Sequence, residues 1–248
     1  MKLAILLYGL FRHRDTPIFW RMMLPPGDIF LFSTFTSQPK TRRSHDVPLH
    51  ARNMEVALNA SRFWSVVDQD AYDAEIDLDG LCKVARNPFG ASYTSSVRNA
   101  VRAIYQLRSL KRLFLAHRRM YTHVLLSRVD LLFTRRVDPG AFLSKAVVPA
   151  YASFGGVNDR FIAGPVRSVL LLMDRVDVWK RTKLLAERLL HRVIRHHNIS
   201  VERRDVGLTR RVRGGGALHT AQYRKKGCAL DHVSSMRELR PYRYEPCD

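Results

Sequence analysis

The sequence predicts an α/β domain: a mostly parallel β-sheet with helices on both faces. Three observations predict it. A chain of 248 residues suits one large α/β domain or two small ones and buries a substantial core. Hydrophobic residues make up 46% and charged residues 26%, the balance of a globular protein. Short apolar runs alternate with helical patterns in the order β-α-β, long loop, α-β-β, loop, α, α, β, and strands separated by helices pair in parallel. In such sheets ligands bind beyond the carboxyl ends of the strands.

Each element has its own signal. Lys2–Tyr8 is an unbroken apolar run and reads as the first buried strand. Gly9 and a polar loop follow, then a short helix-like piece around Ile18–Met23 that "PPGD" breaks. Ile29–Phe35 is the second strand. Residues 50–70 read as a helix followed by an extended piece. The segment 68–80, "DQDAYDAEIDLDG", has no clear hydrophobic period and reads as a solvated linker or insertion. Ser95 or Ser96 caps a long helix that sets Val97, Val101, Ile104, Leu107, Leu110 and Phe114 near one face. His123–Phe133 is strand-like, and Ala146–Tyr151 is a further strand. A strand-like start at Phe161 meets the Gly164-Pro165 break, and a helix begins near Val166. Residues 183–198 form an amphipathic helix ended by Asn198, with a strand after it. The predicted domain covers 1–213, and 214–248 reads as a basic, irregular tail.

The net charge of +20 is compatible with nucleic acid, an anionic membrane or a phosphorylated ligand as partner. The arginines are spread along the whole chain, and no RNP, KH or zinc-finger signature accompanies them. Cys82, Cys228 and Cys247 are far apart and read as free thiols rather than a disulfide framework or zinc site. The apolar start "MKLAILLYGLF" is short and lacks a small-residue cleavage site, and no later run reaches the ~20 apolar residues of a membrane span. The expected setting is cytoplasmic.

The residues that could carry chemistry stand at strand ends and loops. Arg128 and Asp130 lie inside the strand-like run "YTHVLLSRVDLLFT", where unpaired charge is costly. Either they form a structural ion pair, or the strand ends near Ser127 and they stand at its carboxyl edge as a ligand site. Gly9 lets backbone approach a ligand, and Arg12 or Arg14 could hold a phosphate. "YGLFRHRD" is neither GxGxxG nor a Walker loop. In "GGVNDRF", Asp159 is a candidate base or sugar ligand, or else part of an Asn-Asp turn. Glu187 and His191 share a helix face. His196 and His197 sit at a helix end, where they favour the dipole when protonated.

These segments together resemble GT-A-type glycosyltransferase-like proteins of bacterial polysaccharide loci, algae and large viruses. The resemblance rests on "LAILLYGLFR", "DIFLFSTFT", "NAVRAIYQLRSLKRLF", "YTHVLLSRVDLLF", "NDRFIAGPVRSVLLLMDRV" and "AERLLHRVIRHHNISVER", in that order over about residues 3–213. It implies a single GT-A-like, Rossmann-like domain with a twisted sheet. It also implies transfer of a sugar from a nucleoside diphosphate sugar donor to a glycan or other hydroxyl acceptor. Carried over, Gly9, Arg12, Tyr105, Arg128 and Asp130 would contact the donor. Asp130 would take the place of the metal-binding Asp-x-Asp motif, for Mn2+ or Mg2+, with Arg128 where its first Asp stands. Asp159 and Glu187 would be the candidate catalytic carboxylates. Two other readings compete: a basic nucleic-acid-binding protein, and an inactive relative that only binds a sugar or nucleotide.

Overall fold

The structure, a computed structural model, describes residues 1–11, 20, 22–36, 55–85, 94–117, 120–133, 136–151, 156–179, 186–206, 209–212 and 218–219. Its centre is a seven-stranded sheet in the order β3-β2-β1-β4-β7-β6-β8. The strands are β1 (Leu3–Leu10), β2 (Asp28–Phe35), β3 (Phe63–Asp68), β4 (His123–Arg128), β6 (Ala146–Pro149), β7 (Phe161–Pro165) and β8 (Val201–Arg204). β1 pairs in parallel with β2 and β4, β2 with β3, and β6 with β8; β7 runs antiparallel to β4 and β6. The chain is therefore α/β with a mostly parallel sheet, a Rossmann-like arrangement.

The continuous apolar run of β1 follows from burial on both faces. Ala4, Leu6 and Tyr8 enter one cluster, and Leu3, Ile5 and Leu7 enter the other. The first cluster is covered by the long helix α4 (Thr94–Leu115) through Leu107, Leu110 and Phe114. Two more helices join it: α5 (Val166–Leu172) and α7 (Ala186–His196). The opposite face packs on Trp20, Met23, Leu24, Ala57 of helix α1 (Glu55–Ala60), and Phe142 of a 3-10 turn at Pro139–Phe142. The upper stripe of α4, Val97, Val101 and Ile104, packs on Leu78, Val176, Trp179 and Leu189. Val176 and Trp179 lie on the short helix α6 (Arg175–Trp179). Asn198 ends α7 with a positive φ of 50°, and Ile199 N–H donates to Ile194 C=O at 3.0 Å.

Two expectations need correction. The acidic segment 68–80 is not a linker: it holds helices α2 (Gln69–Glu75) and α3 (Leu78–Val84). Its acids break the hydrophobic period because they cap and pair. Asp68 accepts from the N–H of Asp70 at 2.9 Å, and Asp77 accepts from Gly80 N–H at 3.2 Å. Asp73 accepts from Arg102 Nε at 2.7 Å, and Asp79 pairs with Arg98. Tyr72 and Leu78 supply the burial.

Second, His123–Phe133 is two strands. β4 stops at Arg128, the chain turns through Val129–Asp130, and β5 (Leu131–Phe133) enters another sheet. There it pairs antiparallel with β9 (Thr209–Val212), which pairs with β10 (Leu218–His219). Residue 213, where the boundary is expected, lies outside the described residues, and β9 before it pairs with β10 after it. The tail from residue 220 lies outside the described residues.

Gly164 supplies a sharp test of the β6–β7 packing. A Cβ there would stand 2.7 Å from Ala146 Cα and 2.9 Å from Lys145 O, both backbone atoms. Gly164→Ala is expected to cost about 1–3 kcal/mol, as overpacking does. Equilibrium denaturation of the variant checks this; unchanged stability would show that the two strands separate at no cost.

Candidate functional site

The strand order reverses between β1 and β4: β2 and β3 lie on one side of β1, and the later strands lie on the other. In an open α/β sheet that reversal opens a crevice beyond the carboxyl ends of the two strands. The register fixes what stands there. Tyr8 is opposite Arg128, and Gly9 is opposite Ser33. Val129 N–H donates to Tyr8 C=O at 2.9 Å, so the chain leaving β4 stays tied to the end of β1.

Gly9 has φ +123°, a conformation side-chain-bearing residues rarely adopt. Space alone would admit a Cβ, which would meet Val129 Cγ2 at 3.6 Å, so the backbone angle is what demands glycine. Its carbonyl accepts from Ser33 Oγ at 2.9 Å. Beside it, Gln106 Nε2 of α4 donates to Thr34 Oγ1 at 2.9 Å, and Ser33, Thr34 and Gln106 are all buried. Arg12 lies outside the described residues.

At the end of β4 the two charges meet each other. Arg128 Nε donates to Asp130 Oδ1 at 2.8 Å and Nη2 to Oδ2 at 2.7 Å, a bidentate pair. Asp130 is 2% exposed. Burial alone would lower the proton affinity of the Arg128 guanidinium. The Asp130 charge and its two hydrogen bonds outweigh that and raise it above the ordinary arginine value. The two readings left open by the sequence therefore coincide: an ion pair, at the carboxyl edge of the strand.

A second pair stands nearby. Arg175 Nη1 of α6 donates to Asp159 Oδ2 at 2.8 Å, and Arg175 is 2% exposed. Asn158 shapes the loop that presents Asp159. Its Oδ1 accepts from Arg160 N–H at 2.9 Å, and its Nδ2 donates to Tyr151 C=O at 2.8 Å. Tyr8 lies between the pairs: the charges of Asp159, Arg175, Arg128 and Asp130 all act on its phenol. Burial first, and Asp159 next, push that phenol up to about 12. Among the described residues, Tyr8 Oη and Arg175 Nη2 are buried donors with no hydrogen-bond partner.

Glu187 opens the first turn of α7 and joins this group electrostatically. Burial raises its carboxyl above the ordinary value of 4.5, and the charge of Asp159 raises it further. The loop before Asp159 lies flush on this turn. Val157 N–H donates to Glu187 C=O at 2.9 Å, and a Cβ on Gly156 would meet that oxygen at 2.2 Å.

Of the residues expected from the sequence, the structure gathers Gly9, Arg128, Asp130, Asp159 and Glu187. Tyr105 packs between two core clusters, with Arg108 and Asp177 as charged neighbours. Its neighbour Gln106 is the residue that reaches the end of β2. Tyr8, Arg175, Ser33, Thr34 and Gln106 escaped the sequence reading. Arg175 carried the same signal as Arg128, a charge inside an apolar run, "LLLMDRVDVW".

A metal at Asp130 does not fit the donor set. Both carboxylate oxygens accept from Arg128. Among the described residues no group of three or more His, Cys, Asp or Glu could hold an ion. A cavity of about 750 Å³ lies toward the opposite ends of the strands, lined by Ile5, Trp20, Met23, Leu24, Ile29 and Arg136 among others. Among the described residues no helix is long and apolar enough to cross a membrane. No family model matches the chain, and no curated protein matches it.

Two variants test the electrostatics. Asp130→Asn leaves the Arg128 guanidinium without its counter-charge. A cost of about 2–3 kcal/mol is expected, below that of a fully buried pair because 24% of the Arg128 side chain remains exposed. Chemical denaturation measures it, and a loss near zero would mean that solvent replaces the carboxylate. For Glu187 the sign is opposite to the usual carboxylate. Its folded form holds a proton more tightly, so stability is fully present at low pH and falls as pH rises above 4.5. Glu187→Gln is expected to flatten that fall in melting temperature; an unchanged slope would place Glu187 in solvent.

Proposed function

We propose that the crevice binds a nucleoside diphosphate sugar and that the protein transfers the sugar to an acceptor hydroxyl. One observation carries this reading. Two carboxylate–guanidinium pairs, with Glu187 beside them, converge where the strand order reverses, beyond the carboxyl ends of β1 and β4. That position is where open α/β sheets hold nucleotides. The ordered resemblance to GT-A-type glycosyltransferases points the same way.

The roles follow from which groups are already engaged. Gly9 brings backbone close to the donor. Arg128 uses Nε and Nη2 on Asp130 and keeps Nη1 for an anionic oxygen of the leaving diphosphate. Charge that develops there as the sugar–oxygen bond breaks is met by a guanidinium already fixed in place. Asp159 is held by Arg175 and suits a sugar hydroxyl. Glu187 has no ion-pair partner among the described residues, and its raised proton affinity suits removal of the acceptor's proton.

A second reading has its own support. Asp130 and Asp159 both spend carboxylate oxygens on arginines, which fits a relative that binds a sugar nucleotide without turning it over. The nucleic-acid reading loses part of its basis. Arg98 and Arg102 of α4 are paired with Asp79 and Asp73, and Lys111 is paired with Asp174.

Incubation with a panel of UDP-, GDP- and dTDP-sugars, with and without manganese, separates these readings. Release of nucleoside diphosphate from at least one donor is expected, with a rise in melting temperature. Glu187→Gln should lower the release about 100-fold or more while keeping the temperature shift. A shift without release in any condition selects the binding-only reading. Neither release nor shift overturns both.

A further inference from the structure

The exposed face of α7 is wholly basic. Arg188, His191, Arg192, Arg195 and His196 are its exposed positions, and Leu189, Leu190 and Val193 turn into the core. At 100° per residue the five fall in one arc of the helix. Arg188 and Arg192 are four apart and Arg192 and Arg195 three apart, spacings at which like charges repel. None of the three arginines forms a hydrogen bond or ion pair among the described residues.

On α4, Arg98, Arg102 and Lys111 have Asp79, Asp73 and Asp174, while the exposed Arg108 and Arg112 form no ion pair among the described residues. Among the described residues no acid pairs with the α7 arginines. Glu187 is the one acid in residues 180–198, which also include Lys180, Arg181 and Lys183. A face of unpaired arginines is stabilised by an anionic partner from outside, and the planar fork of each guanidinium matches a carboxylate bidentately.

We propose that this face binds the acceptor, and that the acceptor is a glycan bearing carboxylate groups. The proposal rests on the glycosyltransferase reading and names the substrate class for its second site. Arg188 follows Glu187 directly, and the arginines extend about 10 Å from there along the helix. A chain lying on them arrives with one end at Glu187, the group assigned to take the acceptor's proton. Two other polyanions fit less well. The arc has no Phe, Tyr or Trp on which bases of a single-stranded nucleic acid could stack. It also has no apolar side chain to enter a bilayer; among the described residues the exposed large hydrophobic ones are Met1, Trp64, Val84, Leu115, Met120 and Leu143.

The test compares three forms of the full chain: wild type, Arg188→Gln/Arg192→Gln/Arg195→Gln, and a control with the same charge change, Lys83→Gln/Arg108→Gln/Arg112→Gln. Binding is read by calorimetry with oligogalacturonate, neutral dextran, a DNA oligonucleotide and phosphatidylserine vesicles. Wild type and control should bind oligogalacturonate, more weakly as salt rises, and leave dextran unbound. The α7 variant should bind it at least tenfold more weakly with its melting temperature unchanged. Several results would overturn the proposal: no oligogalacturonate binding by wild type, equal binding by the α7 variant, or an equal loss in the control. So would a preference for DNA or vesicles through the same arginines. Donor release by wild type is scored separately. If release is present and α7 is indifferent, only the acceptor surface falls; if release is absent, the enzymatic reading falls and the acceptor assignment falls with it.

Discussion

The bidentate pair between Arg128 and Asp130 fixes the corner on which the rest of the crevice depends. A carboxylate that is 2% exposed must be matched by charge and hydrogen bonds or expelled. Arg128, two residues earlier, does the matching at the point where β4 ends. There the chain turns through Val129–Asp130 and β5 enters a second sheet. The same turn hands Val129 N–H to Tyr8 C=O, so the ends of β1 and β4 are held together where the strand order reverses. The crevice is a by-product of topology.

Around that corner the chain collects polar groups that a stability-optimised core would avoid. Ser33, Thr34, Gln106 and Ser127 are buried at strand ends, Arg175 is buried against Asp159, and Tyr8 carries a phenol with no partner among the described residues. An unsatisfied buried donor costs roughly 1–3 kcal/mol. Sites retain such costs where the groups have work to do with a ligand or a proton. Here the charges are matched in pairs while Glu187 is left to respond to its surroundings. Burial and the neighbouring Asp159 act on it in the same direction, both raising its proton affinity.

How far the sequence speaks depends on whether a residue's local pattern and its partner are close together. β1 was legible because burial on both faces leaves an unbroken apolar run. The buried stripe of α4 was legible from its period, and Val97, Val101, Ile104, Leu107, Leu110 and Phe114 all lie in the core. Gly9 was legible as a point of backbone freedom, although it stands inside β1 with φ +123° rather than in the loop after it. The acidic helices at 69–84 were not, since their aspartates are spent on caps and on arginines about 19 to 29 residues away, which erases the helical period. The break in His123–Phe133 was half legible: the charges marked it, but the run of apolar residues on each side concealed that they belong to different sheets. Arg175 meets Asp159 only in three dimensions. Its place inside an apolar run marks it as a charge to be matched, but the run does not name the partner. Metal binding at Asp130 was inferred from a motif with one acid missing, and the arginine in that place turns out to occupy the oxygens a metal would need.

The proposed function requires a nucleotide to bind beyond the carboxyl ends of β1 and β4. Amide hydrogen exchange, with and without a saturating nucleoside diphosphate sugar, maps that place directly. Protection concentrated at Gly9–Phe11, Arg128–Leu131 and Val157–Arg160 is the predicted result. Protection confined to the cavity around Trp20, Met23 and Leu24, or none in the three crevice segments, would contradict it.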